Sequence, residues 1–468
     1  MGVNIDEIWL TQTTGDPFAD VGGYVIKYLQ EREPDKNILE LIQEVTLIYV
    51  NNWEGKLHSF FHGSKITNPS IKTSAEKIDG TLKQFSQLLN DEGLFQEGYC
   101  RISGRKTKLY SAGRESLILS GSGAFINFNH FFQPGLMLSK EILIRMFFIP
   151  LGSILLNGKI AIIHSNNPEI TAFYVADNCK NNLSSIGLAT ETGVLKSEFH
   201  NPANALFNFI DKAISNVRIA TDSHSPISLT LYHFSNFGAS TEMNIYRVPA
   251  NVFCFYRFCT QGEYMDDWQN FIYSHYSNSD FKGARYNSDT SIYEFEKKGE
   301  IISVGIDNFK IWKNRIYLKL LNDQSLIPEF IRWSKAHKFN FIIIETYQIY
   351  IRNMKKETIT KIKELAAYLV KDNDVDAIKK RVGILKDSTS PYLLRRFLIN
   401  DVVIKNYNSG GEMIISIDDY VNYLFSDDIS WREVRYLLLI AIFQELHQLK
   451  LNVVIELNET ENLEIEQE

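Results

Sequence analysis

The 468-residue sequence predicts an α+β fold, a large mixed N-terminal region followed by a C-terminal α-helical bundle, on three observations. From about residue 336 onward nearly every apolar residue falls on a 3.6-residue period. Before that point, short apolar and aromatic runs alternate with Asn, Ser, Gly and Asp breaks, as strands and turns require. The composition, 44% apolar and 22% charged, is that of a chain able to bury a large core without disulfide staples.

Taken in order, Ile38, Leu41, Ile42, Val45, Leu47 and Ile48 recur at helical spacing after the break at Pro34, so the first 60 or so residues read as helical. Gly63 to Gly80 reads as a surface loop, Leu82 to Leu89 as a helix, and Gly93 to Gly123 as loop-rich. Ala124 to Phe132, Ile160 to Ile163, Thr230 to Phe234 and Val252 to Phe258 are the apolar runs of the mixed region, with long polar connections expected at Asp177 to Ser185 and Ser274 to Asp289. In the helical part, Ile359, Ile362, Leu365, Ala366, Leu369 and Val370 make one stripe, and Val375, Ile378, Val382 and Leu385 a second. Ser390-Pro391 reads as a helix start, and Ser430 with Glu433 as a capping box. The expected division is therefore 1–335 mixed, 336–455 helical bundle, and 456–468 an acidic tail with six Glu and no Lys or Arg.

No stretch reaches about 18 uninterrupted apolar residues, so no membrane span is expected. Asp6 and Glu7 stand where a secretory leader would be basic, and Cys100, Cys179, Cys254 and Cys259 suggest no paired framework. A cytoplasmic chain with free thiols is the expectation. The net charge of −7 excludes the global basic footprint of a free-standing nucleic-acid binder, so any such role must be local.

The chemical motifs are sparse. Gly121-Ser122-Gly123 lacks both a third glycine and a G-K-[ST] ending, so it reads as a turn. His58 and His62 would share a helix face, but the Glu of H-E-x-x-H is missing, and Cys254 and Cys259, five apart, read as buried thiols. No metal and no cofactor is expected. Asp16 and Asp20 could pair on one helix face, yet Gly15-Asp16-Pro17 reads as a cap followed by proline in the first turn.

Charge singles out one segment. Between Tyr99 and Arg114 lie Arg101, Arg105, Lys106, Lys108 and Arg114 with no acid, interleaved with Gly104 and Gly113. Guanidinium and ammonium groups on such a loop can approach phosphates closely. Asn127 and Asn129 follow, with amides able to read base edges, although alternating Asn and Phe is equally the pattern of a half-buried strand. Lys282 and Arg285 form a further basic group, and Lys379, Lys380, Arg381, Arg395 and Arg396 a secondary surface on the helices.

The segments Ile5 to Thr11, Thr14 to Gly23, Gly98 to Arg105, Lys196 to Phe199 with Asn201-Pro202, Asp267 to Phe271 and Ile351 to Ile359 resemble the large subunit of type I-B CRISPR effector complexes (Cascade). The likeness runs along nearly the whole chain. It implies a non-enzymatic subunit that recognises the protospacer-adjacent motif in duplex DNA, helps open the duplex, and serves as a platform for a helicase-nuclease. The implied partners are crRNA, target double-stranded DNA, and the backbone, crRNA 5′-end-binding and small subunits. The sequence departs from the subfamily named for paired C-x-x-C elements, since Ser103 stands where the partner of Cys100 would be; one thiolate cannot hold zinc, so that loop is expected to rest on packing and hydrogen bonds. The likeness also suggests that Met354, just ahead of the bundle, is an internal start for a separate small subunit. The alternative reading is a soluble cytoplasmic hydrolase with a scattered catalytic set.

Overall fold

Local capping chemistry fixes most helix starts. Asp16 accepts from the amides of Phe18 and Ala19 with Pro17 in the first turn, opening α2 (Pro17–Arg32) behind the short α1 (Glu7–Thr11). Asn37 with Glu40 and Thr73 with Glu76 form reciprocal capping boxes at α3 (Ile38–Leu47) and α4 (Ser74–Leu89). The second box starts α4 well before the expected Leu82, because Thr73 and Glu76 satisfy its first orphan amides. In this computed structural model the described residues are 4–120, 126–127, 132–188, 192–217, 226–236, 241–372, 374–427, 429–451 and 453. They form a mixed α+β chain in two compact units, Met1–Ala250 with Asp307–Lys313, and Asn251–Ile306 with Asn314–Glu468.

Unit one continues through β1 (Gln96–Tyr99), β2 (Lys106–Ala112), β3 (Ile126–Asn127), β4 (Gln133–Pro134), β5 (Leu136–Leu138), α5 (Lys140–Phe148), β6 (Ile154–Leu156), β7 (Lys159–Ser165), α6 (Pro168–Gly187), α7 (Pro202–Asn216), β8 (Leu229–Ser235) and β9 (Glu242–Val248). Strands β6-β7-β8-β9 make an antiparallel sheet in that order, with Ile162 opposite Tyr232 and Tyr232 opposite Ile245. Helix α6 packs on β7 and α7 on β8, burying Ile160 to Ile163, Val175, Leu206 and Ile210. One expectation is corrected here. Asp177 to Ser185 is not a polar connection but the second half of α6, because its amides serve the interior: Asn182 Nδ2 donates to the carbonyls of Leu151 and Ser153, and its Oδ1 accepts from Leu195 N. The loop-rich reading of Gly93 to Gly123 is refined by the β1-β2 hairpin that the segment contains.

Unit two begins with α8 (Ala250–Cys259), which corrects a second expectation: the aromatic run Val252 to Phe258 is helical, burying Phe253, Phe255 and Tyr256. There follow α9 (Met265–Tyr273), β10 (Tyr276–Ser277), the antiparallel sheet β11 (Arg285–Asn287), β12 (Ile292–Lys297) and β13 (Glu300–Val304), then α10 (Ile306–Phe309) and β14 (Lys313–Asn314), which lead out of and back into the unit. The rest is helical: α11 (Arg315–Leu321), α12 (Ile327–Ala336), α13 (Phe341–Tyr350), α14 (Lys356–Val370), α15 (Val375–Lys386), α16 (Pro391–Phe397), α17 (Lys405–Asn408) and α18 (Trp431–Leu449). Ser390 and Ser430 cap α16 and α18, but Glu433 does not complete the expected box; it faces Arg352 at 3.5 Å instead. An aromatic cluster holds the centre, with Phe271 stacked on Phe330 at 5.0 Å and Phe255 edge-on to Trp268 at 5.3 Å. Helix α18 is buried from Leu437 to Phe443 between α12 and α14. The expected tail, 456–468, lies outside the described residues.

Candidate nucleic-acid interface

The basic segment is a hairpin whose strands pair Tyr99 with Lys106 and Glu97 with Lys108. Its turn closes by two backbone bonds, Cys100 N to Arg105 O at 2.8 Å and Gly104 N to Cys100 O at 2.9 Å, with Gly104 at φ +68° where a side chain would be strained. Cys100 is buried and its Sγ accepts from Ser139 N, while Arg101 N donates to Met137 O. Packing and hydrogen bonds therefore hold the turn. Elemental analysis of the purified chain should find far less than one zinc per molecule; a stoichiometric value would overturn this account of the turn.

The five cations of the segment divide by what they face. Arg105 donates to Asp6 at 2.9 Å and lies 4.7 Å from the Trp9 ring, and Lys108 donates to Asp91 at 3.0 Å and lies 4.7 Å from the Phe95 ring. Asp91 also receives Lys140 and the Tyr110 hydroxyl; burial alone would raise its pKa, but these bonds hold it below the usual carboxylate value. A groove of about 460 Å3 beside the hairpin is lined by Lys106, Lys108 and Lys140 and also by Asp6, Asp91, Glu97 and Glu141, so it is not a phosphate funnel. Arg101 and Lys106 differ: both are exposed at the turn, and neither makes an ion pair among the described residues. Arg114 is exposed as well, its guanidinium near Gly63.

The other expected residues lie elsewhere. Asn127 sits in β3 opposite Gln133, and Asn129 falls outside the described residues. Lys282 and Arg285 are exposed at the start of β11, in unit two. Lys379 and Lys380 are exposed on α15 and Arg396 on α16, whereas Arg381 pairs with Asp372 at 2.9 Å and Arg395 lies 4.9 Å from the Phe425 ring. The helical premise for His58 and His62 is corrected: both lie in turns, and His62 Nε2 bonds the carbonyl of Asn236. Cys254 is exposed, not buried, because it and Cys259 occupy different faces of α8.

Sequence spacing missed two charged centres. In unit one Asp20 is buried and accepts from Thr14 N, Thr14 Oγ1, Gly15 N and His164 Nε2, with the Arg145 guanidinium 3.8 Å away. Arg145, wholly buried, donates to the carbonyls of Trp9 and Gln12, and a Cβ on Gly22 would lie only 2.0 Å from its carbonyl oxygen. This knot ties α1, α2, α5 and β7 together; the Asp20 and Arg145 side chains are wholly buried, and His164 keeps 16% of its side-chain surface exposed. In unit two, Glu329 is wholly buried and meets Arg315, Lys319 and Arg332 at 3.2, 2.9 and 3.0 Å. The nearby His275 is held neutral by burial, its pKa pushed down to about 4, while the unfolded chain takes up a proton near 6.5. Its contribution is intact above pH 7 and is lost as pH falls from 6.5 toward 4, a cost of about 2 kcal/mol by pH 5. His275→Asn should flatten denaturation midpoints between pH 8 and pH 5; a profile identical to the parent's would dismiss the assignment.

Comparison of the sequence with protein-family models and with curated proteins finds no match. Among the described residues no helix is long and apolar enough to cross a membrane, and no group of three or more His, Cys, Asp or Glu could hold a metal ion.

Proposed function

We propose that this chain is the large subunit of a type I-B Cascade, recognising the protospacer-adjacent motif in duplex DNA and assisting its opening while crRNA pairing reads the rest of the target. The observation that carries the reading, beside the resemblance of the segments named above, is the turn at Cys100–Arg105. It presents Arg101 and Lys106 on a rigid two-stranded support with no carboxylate partner among the described residues. Backbone phosphates, which fix register and carry no sequence information, are the groups such cations recognise. No catalytic residue is assigned. Exposed apolar side chains at Tyr392, Ile399, Tyr407, Met413, Ile417 and Val421 suit a protein that buries further surface against other subunits and a recruited helicase-nuclease.

The salt dependence of duplex binding tests the turn. Arg101→Ala with Lys106→Ala should lower the log-log slope by about 1.8, since each lost phosphate contact removes about 0.9. An unchanged slope would remove the hairpin from the interface. Tagged full-length protein should co-purify with guide-length RNA and several partners; a lone chain free of RNA would sink the subunit reading. Use of Met354 as an internal start belongs to the same proposal. The residue is buried immediately before α14, and a product beginning there would lack α12, leaving one flank of α18 for a partner to cover.

A further inference from the structure

We infer that the cleft in unit one between α4, α5 and β2 is a binding site for a single nucleobase, presented either by a free nucleoside or by an unstacked residue of a strand. The inference goes beyond the function proposed above and does not depend on it. The cleft encloses about 240 Å3. An apolar cavity of about 150 Å3 holds one benzene ring, and drug-sized ligands need about 300 Å3 or more, so this volume suits one or two fused rings. Its floor is aromatic. Phe85 of α4 and Phe147 of α5 meet at 4.8 Å between ring centroids with a 58° tilt, with Phe61 and Leu143 beside them. Apolar side chains that border a cavity forfeit dispersion contacts, which a flat ring laid against them restores.

The rim is of a different kind. Gln84 and Gln87 stand exposed on α4, and neither side-chain amide makes a hydrogen bond among the described residues. Each amide offers donor and acceptor in one plane, the pair that a base edge answers two at a time. The Ser116 hydroxyl adds a further polar group from the turn after β2. Charge argues against an anion as the ligand: the rim sets Lys65 against Glu92 and Glu115, so nothing there recruits free phosphate. A phenyl or indole ring would cover the floor and leave the amides unanswered. A neutral planar ring with donors and acceptors along its edge meets floor and rim together, and a nucleobase is such a ring. Lys106, Lys108 and Tyr110 share one face of β2, and Tyr110 also lines the cleft, which places it about 13 Å along the strand from Lys106 at about 3.3 Å per residue.

Calorimetric titration of the full-length chain with adenosine tests the site, and a short oligodeoxyadenylate added to the same sample separates the sources. Saturable adenosine binding that the strand leaves in place marks a nucleoside site; displacement by the strand marks a site for a base within a strand. Gln87→Ala should weaken adenosine binding about tenfold, the worth of one paired amide contact. Gln84→Trp should abolish it, since an indole at that exposed helical position fills the cleft from its rim and leaves the core side chains in place. Lys83→Trp, the neighbouring exposed position outside the lining, should bind as the parent does. Inorganic pyrophosphate should not compete. The inference falls if adenosine does not bind, if Gln84→Trp and Gln87→Ala bind as tightly as the parent, if Lys83→Trp loses as much as Gln84→Trp, or if pyrophosphate displaces adenosine.

Discussion

Arg145→Met should lower the unfolding free energy of unit one by about 4 kcal/mol, read as a shift in the urea midpoint. The side chain is fully buried, and its guanidinium donates to the Trp9 and Gln12 carbonyls. Methionine fills a similar length but donates nothing, so those carbonyls lose the guanidinium, and among the described residues the Asp20 carboxylate keeps only His164 as a cation-capable neighbour. Removing one member of a buried charged set costs about 3–5 kcal/mol, more than the set's net worth, because the desolvation of the survivors is no longer repaid. Asp20 is held below the usual carboxylate pKa: burial opposes ionisation, but the bonds from His164, Thr14 and Gly15 outweigh it. A loss under about 1 kcal/mol would show that water or Thr14 rearranges to replace the guanidinium.

The second large effect is expected in unit two. Glu329→Ala should cost about 3 kcal/mol, at the lower end of the range for a broken buried pair. Lys319 is only 12% exposed and would be left a nearly dehydrated ammonium, whereas Arg315 and Arg332, each at 40% or more, would recover hydration. Adding Lys319→Met to Glu329→Ala should restore much of the loss, since it removes the stranded charge. If the double variant is no more stable than the single, the cost lies in the cavity and not in the charge.

What the sequence revealed and what it hid follow the range of the forces involved. The starts of α2 at Asp16-Pro17, α16 at Ser390-Pro391 and α18 at Ser430 were legible because a cap is a contact between residues two or three apart. The apolar stripes of α14 and α15 were legible because their period is set by one packed face. Helix α6 was hidden because Asn178 and Asn182 look like loop residues until Gly152, Leu151 and Ser153 arrive from elsewhere to accept their amides. Helix α8 was hidden because a run of Phe, Tyr and Cys fits a buried strand or a buried helix equally well, and burial on α8 decided it. The basic segment was visible in composition, yet Asp6 and Asp91, which neutralise Arg105 and Lys108, are 99 and 17 residues away in sequence. Charge counting in a window cannot see such partners, so it overstated how many of the five cations are open to phosphate.

The position of α18 has a consequence for synthesis. It is the last described helix of the chain, and it supplies the apolar surface on which both α12 and α14 pack. During translation α12 and α14 emerge before α18, so the apolar faces they turn to it stay bare until Leu449 has left the ribosome. Unit two therefore closes only after α18 has emerged, and a premature stop anywhere before Trp431 removes the centre of its bundle.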